Sequence, residues 1–459
     1  MITVLTLTLA ALAQDGADHG HLEGVLVGEP SDTGAWIQTR LTASEGEPGS
    51  PPPGRNGVVR FEVCHDPGFP EGQVMRTALL PAVEESDHIV RARLNGLSPD
   101  SPVHWRVFSG ADADHLTPGP RGSFRTSPGL EGAGAVSFCV VTGMNQNKFL
   151  NGYTGEDKGL GFPGLASMAA LDPSFVVFTG DNVYYDHPRE PAAKTRDELR
   201  AKWHVQFAQP RMIDLFARTA TFWMKDDHDH RFNDCDNTGK RLPSSQLGID
   251  TFIEQVPVST PTWRTHRVSR DLQVWLVEGR DHRSPNSMDD GPDKSLWGSE
   301  QLAWLKRTLL ESDARHLVLL SPTPLVGPDD AYKRDNHTNP KGFRHEGDAF
   351  LDWIVEEGLL ERFVVVCGDR HWQYRSVHPT GVEEYSCGAL VDANSRLGRK
   401  PGDPKSTDPD ALVEQPYVSR KASGGFLEVR TEPSGDGGPA GLHFVFRDEF
   451  GVELYSTSR

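Results

Sequence analysis

The sequence predicts an α/β protein in which a smaller all-β sandwich precedes a larger, layered α/β domain. Three observations predict it. Between Gly24 and Thr126, short apolar or alternating runs are separated by Gly- and Pro-rich turns, the grammar of a β-sandwich. Beyond Glu131, strand-like apolar runs alternate with helical periodicity, which implies layered α/β architecture. Four of those later runs end on aspartate, histidine or arginine, as if each strand delivered polar groups to one edge of a sheet.

In the first part, strands are read at Gly24–Val27, Gly34–Arg40, Val58–Val63, His88–Leu94, Val103–Ser109 and Gly122–Arg125. The turns between them include Glu45–Gly54 and Gly96–Pro102. Leu97-Ser-Pro-Asp-Ser-Pro-Val-His-Trp-Arg106 sets a Leu-x-Pro turn before an aromatic strand, which resembles fibronectin-III-like domains. Thr126-Ser-Pro-Gly129 reads as a linker, so the sandwich is expected over residues 20–128 and the α/β domain over 131–459. In the latter, strands are expected at Ala135–Thr142, Phe175–Thr179, Thr221–Met224, Leu272–Val277, His316–Leu320 and Phe363–Cys367. Helices are expected at Gly164–Leu171, Thr195–Arg218, Glu300–Ser312 and Gly347–Glu357. Gly425–Thr431 and Leu442–Arg447 around a Gly/Pro turn, then Val452–Ser456, read as a closing meander.

Composition narrows the function. The 459 residues carry 65 acidic and 47 basic side chains, a net charge of −18. No nucleic-acid-binding surface is expected, because phosphate backbones are neutralised by clustered Lys and Arg. No apolar run approaches the roughly 18 residues of a transmembrane segment. Met1–Ala13, MITVLTLTLAALA, fits a signal peptide over residues 1–13 and export to a periplasmic, cell-surface or extracellular location. The five cysteines, Cys64, Cys139, Cys235, Cys367 and Cys387, show no CxxC pattern, which speaks against a zinc finger or disulfide scaffold.

The chemistry lies at the strand ends. Phe175–Thr179 runs into Gly180-Asp-Asn-Val-Tyr-Tyr-Asp186, and Thr221–Met224 into Lys225-Asp-Asp-His-Asp-His230. Leu272–Val277 runs into Glu278-Gly-Arg-Asp-His-Arg283, and Phe363–Cys367 into Gly368-Asp-Arg-His371. A lone Gly-Asp after a strand is usually a turn, and one acidic pentapeptide is as readily a solvated loop. Together, converging carboxylates repel one another, and divalent or trivalent metal ions are the neutralising partner.

These motifs resemble those of the PhoD-like alkaline phosphatases within the calcineurin-like metallophosphoesterases, over nearly the whole chain. The carrying residues are Gly180-Asp-Asn-Val-Tyr184, Trp223-Met-Lys-Asp-Asp-His228, Arg280-Asp-His-Arg283 and Gly368-Asp-Arg-His371, in that order. A purple-acid-phosphatase relative would carry Gly-Asn-His in place of Asp226-Asp-His228. The resemblance implies a core of two β-sheets flanked by helices, and two metal ions, iron and calcium in the family. It implies that Asp181 bridges the metals, Tyr184 binds the harder one, Asp227 sits at the second, and Asp369 and His371 supply one ligand to each. His228 is the implied catalytic histidine, with Arg280 and Arg283 holding the phosphate. Arg370 and Asn145 are further candidates for contact with substrate or metal. The implied reaction is hydrolysis of small organic phosphate esters by a metal-activated hydroxide.

One departure concerns iron. The family's first core strand ends on a cysteine or aspartate ligand, whereas Val136-Ser-Phe-Cys-Val-Val-Thr-Gly143 places Gly143 there. Cys139, four residues earlier, lies about 13 Å away at strand rise and reads as a core thiol. Two alternatives remain in view: a phosphodiesterase or phospholipase D-type activity on diesters, and a degenerate, non-catalytic surface binding protein. Asp329, Asp330, Asp335, Asn336 and His337 read as a polar loop beside the site, the alternative being contact with substrate or an extra cation, and Asn336-His-Thr338 meets the N-glycosylation pattern.

Overall fold

The computed structural model describes residues 19–432 and 440–459. The expected leader over residues 1–13 and most of the Gly/Pro turn before Leu442 lie outside the described residues. Two large sheets form the body of the protein. In the first, Val136–Val141, Phe175–Phe178 and Ala220–Trp223 run parallel at the centre of nine strands. In the second, Leu272–Leu276, His316–Ser321 and Phe363–Cys367 run parallel within seven.

Both faces of these strands are covered, which is why they are written as unbroken apolar runs such as Phe-Val-Val-Phe and Phe-Val-Val-Val-Cys. Alternate residues divide between two cores. Phe138, Phe175 and Phe222 of one sheet share a cluster with Val274, Leu320 and Val366 of the other. Their neighbours Val141, Phe178 and Trp223 pack outward onto Leu165, Trp203 and Phe216 of the covering helices. On the opposite side, Trp275, Leu319 and Val365 pack onto Leu305, Phe350 and Ile354. Each such apolar side chain contributes roughly 1.5–3 kcal/mol by leaving water.

The helices follow local rules. Arg196–Phe207 starts at a capping box in which Thr195 and Glu198 exchange hydrogen bonds. The helical stretch expected over Thr195–Arg218 is two helices, because Pro210 forces Gln209 into an extended conformation and starts Pro210–Phe216. Gln146–Gly152 and Ser245–Gln255 are helices that polar, glycine-containing sequences concealed.

The longer N-terminal strands divide between two sheets. Val25–Gly28, Gly34–Arg40 and Ile89–Asn95 extend the nine-stranded sheet beyond Ala220–Trp223, where Gly28 pairs with Thr221. The opposing sheet contains Gly57–Cys64, Pro102–Gly110 and Thr117–Arg125. Polar bonds tie this region to the helices: His204 Nε2 lies 2.7 Å from Asp87 Oδ2, which also accepts from Gln255 Nε2 at 2.7 Å. Arg91 donates to the carbonyls of Ile253, Glu254 and Val256.

Candidate metal centre

Parallel pairing puts the carboxyl ends of the central strands of each sheet at one edge. Asp181 and Asp369 each follow a glycine there and adopt left-handed backbone, with φ of 55° and 57°. That conformation is uncommon outside glycine and recurs at functional sites, where it turns a side chain sharply off the strand. Gly180 is required by proximity: a Cβ there would lie 2.5 Å from the Cβ of Asp226.

The strand ends meet. Ligand atoms of Asp181, Asp227 and His228 lie within 4.8 Å of one another, as do those of Asp226, Asp227 and Asp369, and of Asp227, Asp234 and Asp335. Tyr184 Oη donates to Asp181 Oδ2 at 2.6 Å, and His371 Nε2 lies 3.1 Å from the same oxygen. Asn394 Nδ2 donates to Tyr184 Oη at 2.9 Å and to the Gly143 carbonyl at 3.0 Å. His228 Nδ1 sits 2.6 Å from Asp186 Oδ1, while Asp186 Oδ2 accepts the Asn233 N–H at 3.1 Å.

The electrostatics are those of crowded, buried anions. Burial and the charges of Asp227, Asp181 and Asp335 push Asp226 well above the usual carboxylate range, against the pull of Arg280. Burial would likewise raise Asp227, but His228, Arg280 and Lys333 hold it far below that range. His228 loses basicity to burial yet is pushed up to about 10 by Asp227, Asp181 and Asp186. His371 is pulled down to about 4 by burial, only partly offset by Asp181.

Four carboxylate oxygens, Asp181 Oδ1, Asp226 Oδ2, Asp227 Oδ1 and Asp335 Oδ1, are buried without a hydrogen-bond partner among the described residues. An unpaired buried charge is costly. Hard oxygen donors beside a neutral imidazole are the donor set of di- and trivalent cations, so the residues present fit metal ions.

The remaining predicted residues surround this cluster. Arg280 is wholly buried behind it, donating to Asp226 Oδ1 at 2.7 Å, the Cys235 carbonyl at 2.8 Å and Asp335 Oδ2 at 3.1 Å. Arg283 donates to the Gly279 carbonyl and Asn286, and its Nη2 has no partner. Arg370 bonds Asp329 and Asp369, leaving Nε unpaired. Asn145 caps the helix Gln146–Gly152, its Oδ1 accepting the Lys148 N–H at 3.0 Å.

Gly143 has φ of 67°, and a Cβ there would lie 2.7 Å from that of Ala389. Cys139 is fully buried, and burial raises its thiol pKa beyond ordinary reach. Sequence reasoning left Asp335 in a polar loop and gave no role to Asp186, Asp234, Lys333 or Asn394. The signal of a polar residue directly after an apolar strand does not exist for them, because turns, loops and a short 3-10 helix deliver them. Asn336 is fully buried and bonded to Asp329, which removes it as a glycosylation acceptor.

Two facing sheets whose parallel strands deliver carboxylates and histidines to one buried cluster define a metal-dependent phosphatase. The model of the PhoD-like phosphatase family matches residues 145–394, and that of the family's N-terminal domain matches residues 8–128. The chain belongs to the PhoD-like phosphatases. A solved structure of PhoD aligns over 97% of this chain and 90% of its own, with a TM-score of 0.75 and 16% identity. The purple acid phosphatase PPD1 from seeds of yellow lupin (Lupinus luteus) aligns over 96% and 74%, with a TM-score of 0.63 and 12% identity. No curated protein sequence matches the chain.

Proposed function

We propose that this protein is an exported phosphoesterase that hydrolyses small organic phosphate esters at a dinuclear metal site. The observation that carries the reading is the convergence of Asp181, Asp226, Asp227 and Asp335, each with an unpaired buried oxygen. Asp181, Tyr184, Asp227, Asp369 and His371 are the residues that would hold the two cations, with the Asp181 carboxylate shared between them. When bound, the two cations supply the Lewis acidity that generates a nucleophile from water near neutral pH and offsets phosphoryl charge. Hard oxygen donors suit iron(III) and calcium alike.

The protein's own groups do the rest. His371 is neutral at physiological pH, as a ligand must be. His228, held by Asp186 through Nδ1, presents Nε2 as the acid for the leaving alkoxide. Arg283 Nη2 and Arg370 Nε are the guanidinium donors left for the substrate phosphate, whereas Arg280 acts through Asp226 and Asp335. The apolar leader Met1–Ala13 supports export. The test is hydrolysis of p-nitrophenyl phosphate and bis-p-nitrophenyl phosphate before and after dialysis against chelator. The expected result is turnover that is lost on chelation and restored by metal. Metal-replete protein that hydrolyses neither ester would overturn the reading.

A further inference from the structure

Beside His228 the surface opens into a cavity of about 510 Å³ lined by Asp186, His187, Arg189, Glu190, Asn233 and Arg241. A second cavity of about 270 Å³ shares Asp186, Arg189, Glu190 and Arg241 with it, so the two form one vestibule, and it adds Lys194 and Phe232. Its charge is unusual for a chain of net charge −18. Asp186 is taken by His228, and neither Arg189, Arg241 nor Lys194 makes an ion pair among the described residues. Three cations therefore face the single remaining carboxylate of Glu190.

The loop that carries Arg241 is built to hold it in place. Buried Arg231 donates to the carbonyls of Asp236, Thr238, Arg241 and Pro243, which fastens that loop from within. The Arg241 guanidinium lies 3.9 Å over the Phe232 ring, a stack that orients its planar fork. On the other wall, Lys202 Nζ donates to the His187 carbonyl at 2.6 Å, two residues before Arg189.

We infer that this vestibule is the subsite for the leaving group, and that Arg189 and Arg241 select phosphate esters whose leaving alcohol carries a second anionic group. The inference rests on the proposed phosphoesterase reading, in which His228 protonates the departing alkoxide; Asp186, bonded to His228, and His187, whose ring lies 5.6 Å from that of His228, both line the cavity. The test compares 4-carboxyphenyl phosphate with its neutral isostere 4-carbamoylphenyl phosphate. In the metal-replete wild type, kcat/KM should favour the carboxylate by about tenfold, the sum of two exposed charge contacts. That ratio should shrink with added salt and fall towards one in the Arg189→Ala/Arg241→Ala double variant. A wild-type ratio near one, or a double variant that keeps the wild-type ratio, would overturn the inference. Should neither ester turn over, the phosphoesterase reading fails separately. Calorimetric titration with 4-carboxyphenylphosphonate and 4-carbamoylphenylphosphonate then decides the vestibule alone. Tighter binding of the carboxylate, lost in the double variant, supports it, and equal binding overturns it.

Discussion

Replacing Asp186 by asparagine separates the charge of this residue from its shape. Its Oδ1 lies 2.6 Å from His228 Nδ1 and its Oδ2 is fixed by the Asn233 N–H, so asparagine keeps an acceptor in nearly the same place. A hydrogen bond to a charged group contributes about 1.5–3 kcal/mol, against about 0.5–1.5 for a neutral one. The loss is therefore about 1–1.5 kcal/mol, or roughly a five- to twelvefold fall in kcat. Asp186→Ala removes the bond altogether and should lower kcat roughly 12- to 160-fold. The assay is steady-state hydrolysis of phenyl phosphate, whose basic leaving group needs a proton, at saturating metal, across pH. Burial lowers the His228 pKa and the Asp186 charge raises it, so removing that charge must lower it. The acid form is active below its pKa, and the alkaline limb of kcat should move to lower pH. Both variants within twofold of wild type, with the alkaline limb unmoved, would refute a positioning role for Asp186.

Asp181→Asn leaves one fewer anion at the junction of both proposed cations; metal content and hydrolysis should fall together, kcat by at least about a thousandfold, read by elemental analysis and initial rates. Gly143→Cys should not restore a strand-end ligand, because φ of 67° and the 2.7 Å approach to Ala389 stand against any side chain. A loss of roughly 1–3 kcal/mol in denaturant unfolding is expected. Asp87 is raised by burial but held down at about 2 by His204 and Arg40, against an ordinary 3.8. Because its folded pKa is depressed, its stabilisation is complete above about pH 4 and is lost as pH falls towards 2. It amounts to about 2 kcal/mol, and Asp87→Asn should flatten stability across that window in acid unfolding curves.

How much of this was legible depends on where each signal resides. The six central strands were readable because burial on both faces writes them as continuous apolar runs. Asp181, Asp227, His228, Asp369 and His371 were readable because they directly follow those runs. Three elements escaped for physical reasons. The joining of Val25–Gly28 to the central sheet is a backbone pairing across about two hundred residues, Gly28 to Thr221, which no side-chain pattern records. Asp335 reaches the centre from an irregular loop and Asn394 from the three-residue 3-10 helix Asp392–Asn394, segments too short or irregular for periodicity to inform. Arg280 had the right chemistry for phosphate, but only its contacts reveal that Asp226 and Asp335 engage it.

The unpaired carboxylate oxygens of Asp181, Asp226, Asp227 and Asp335 are placed to hold cations. Elemental analysis of the purified wild-type protein, per chain and after exhaustive dialysis in metal-free buffer, tests it most directly. The expected result is about two tightly held metal ions per chain, lost only to chelator, their loss accompanied by a fall in thermal stability. Protein without stoichiometric metal, which takes up none on reconstitution and melts at the same temperature with or without chelator, would contradict it.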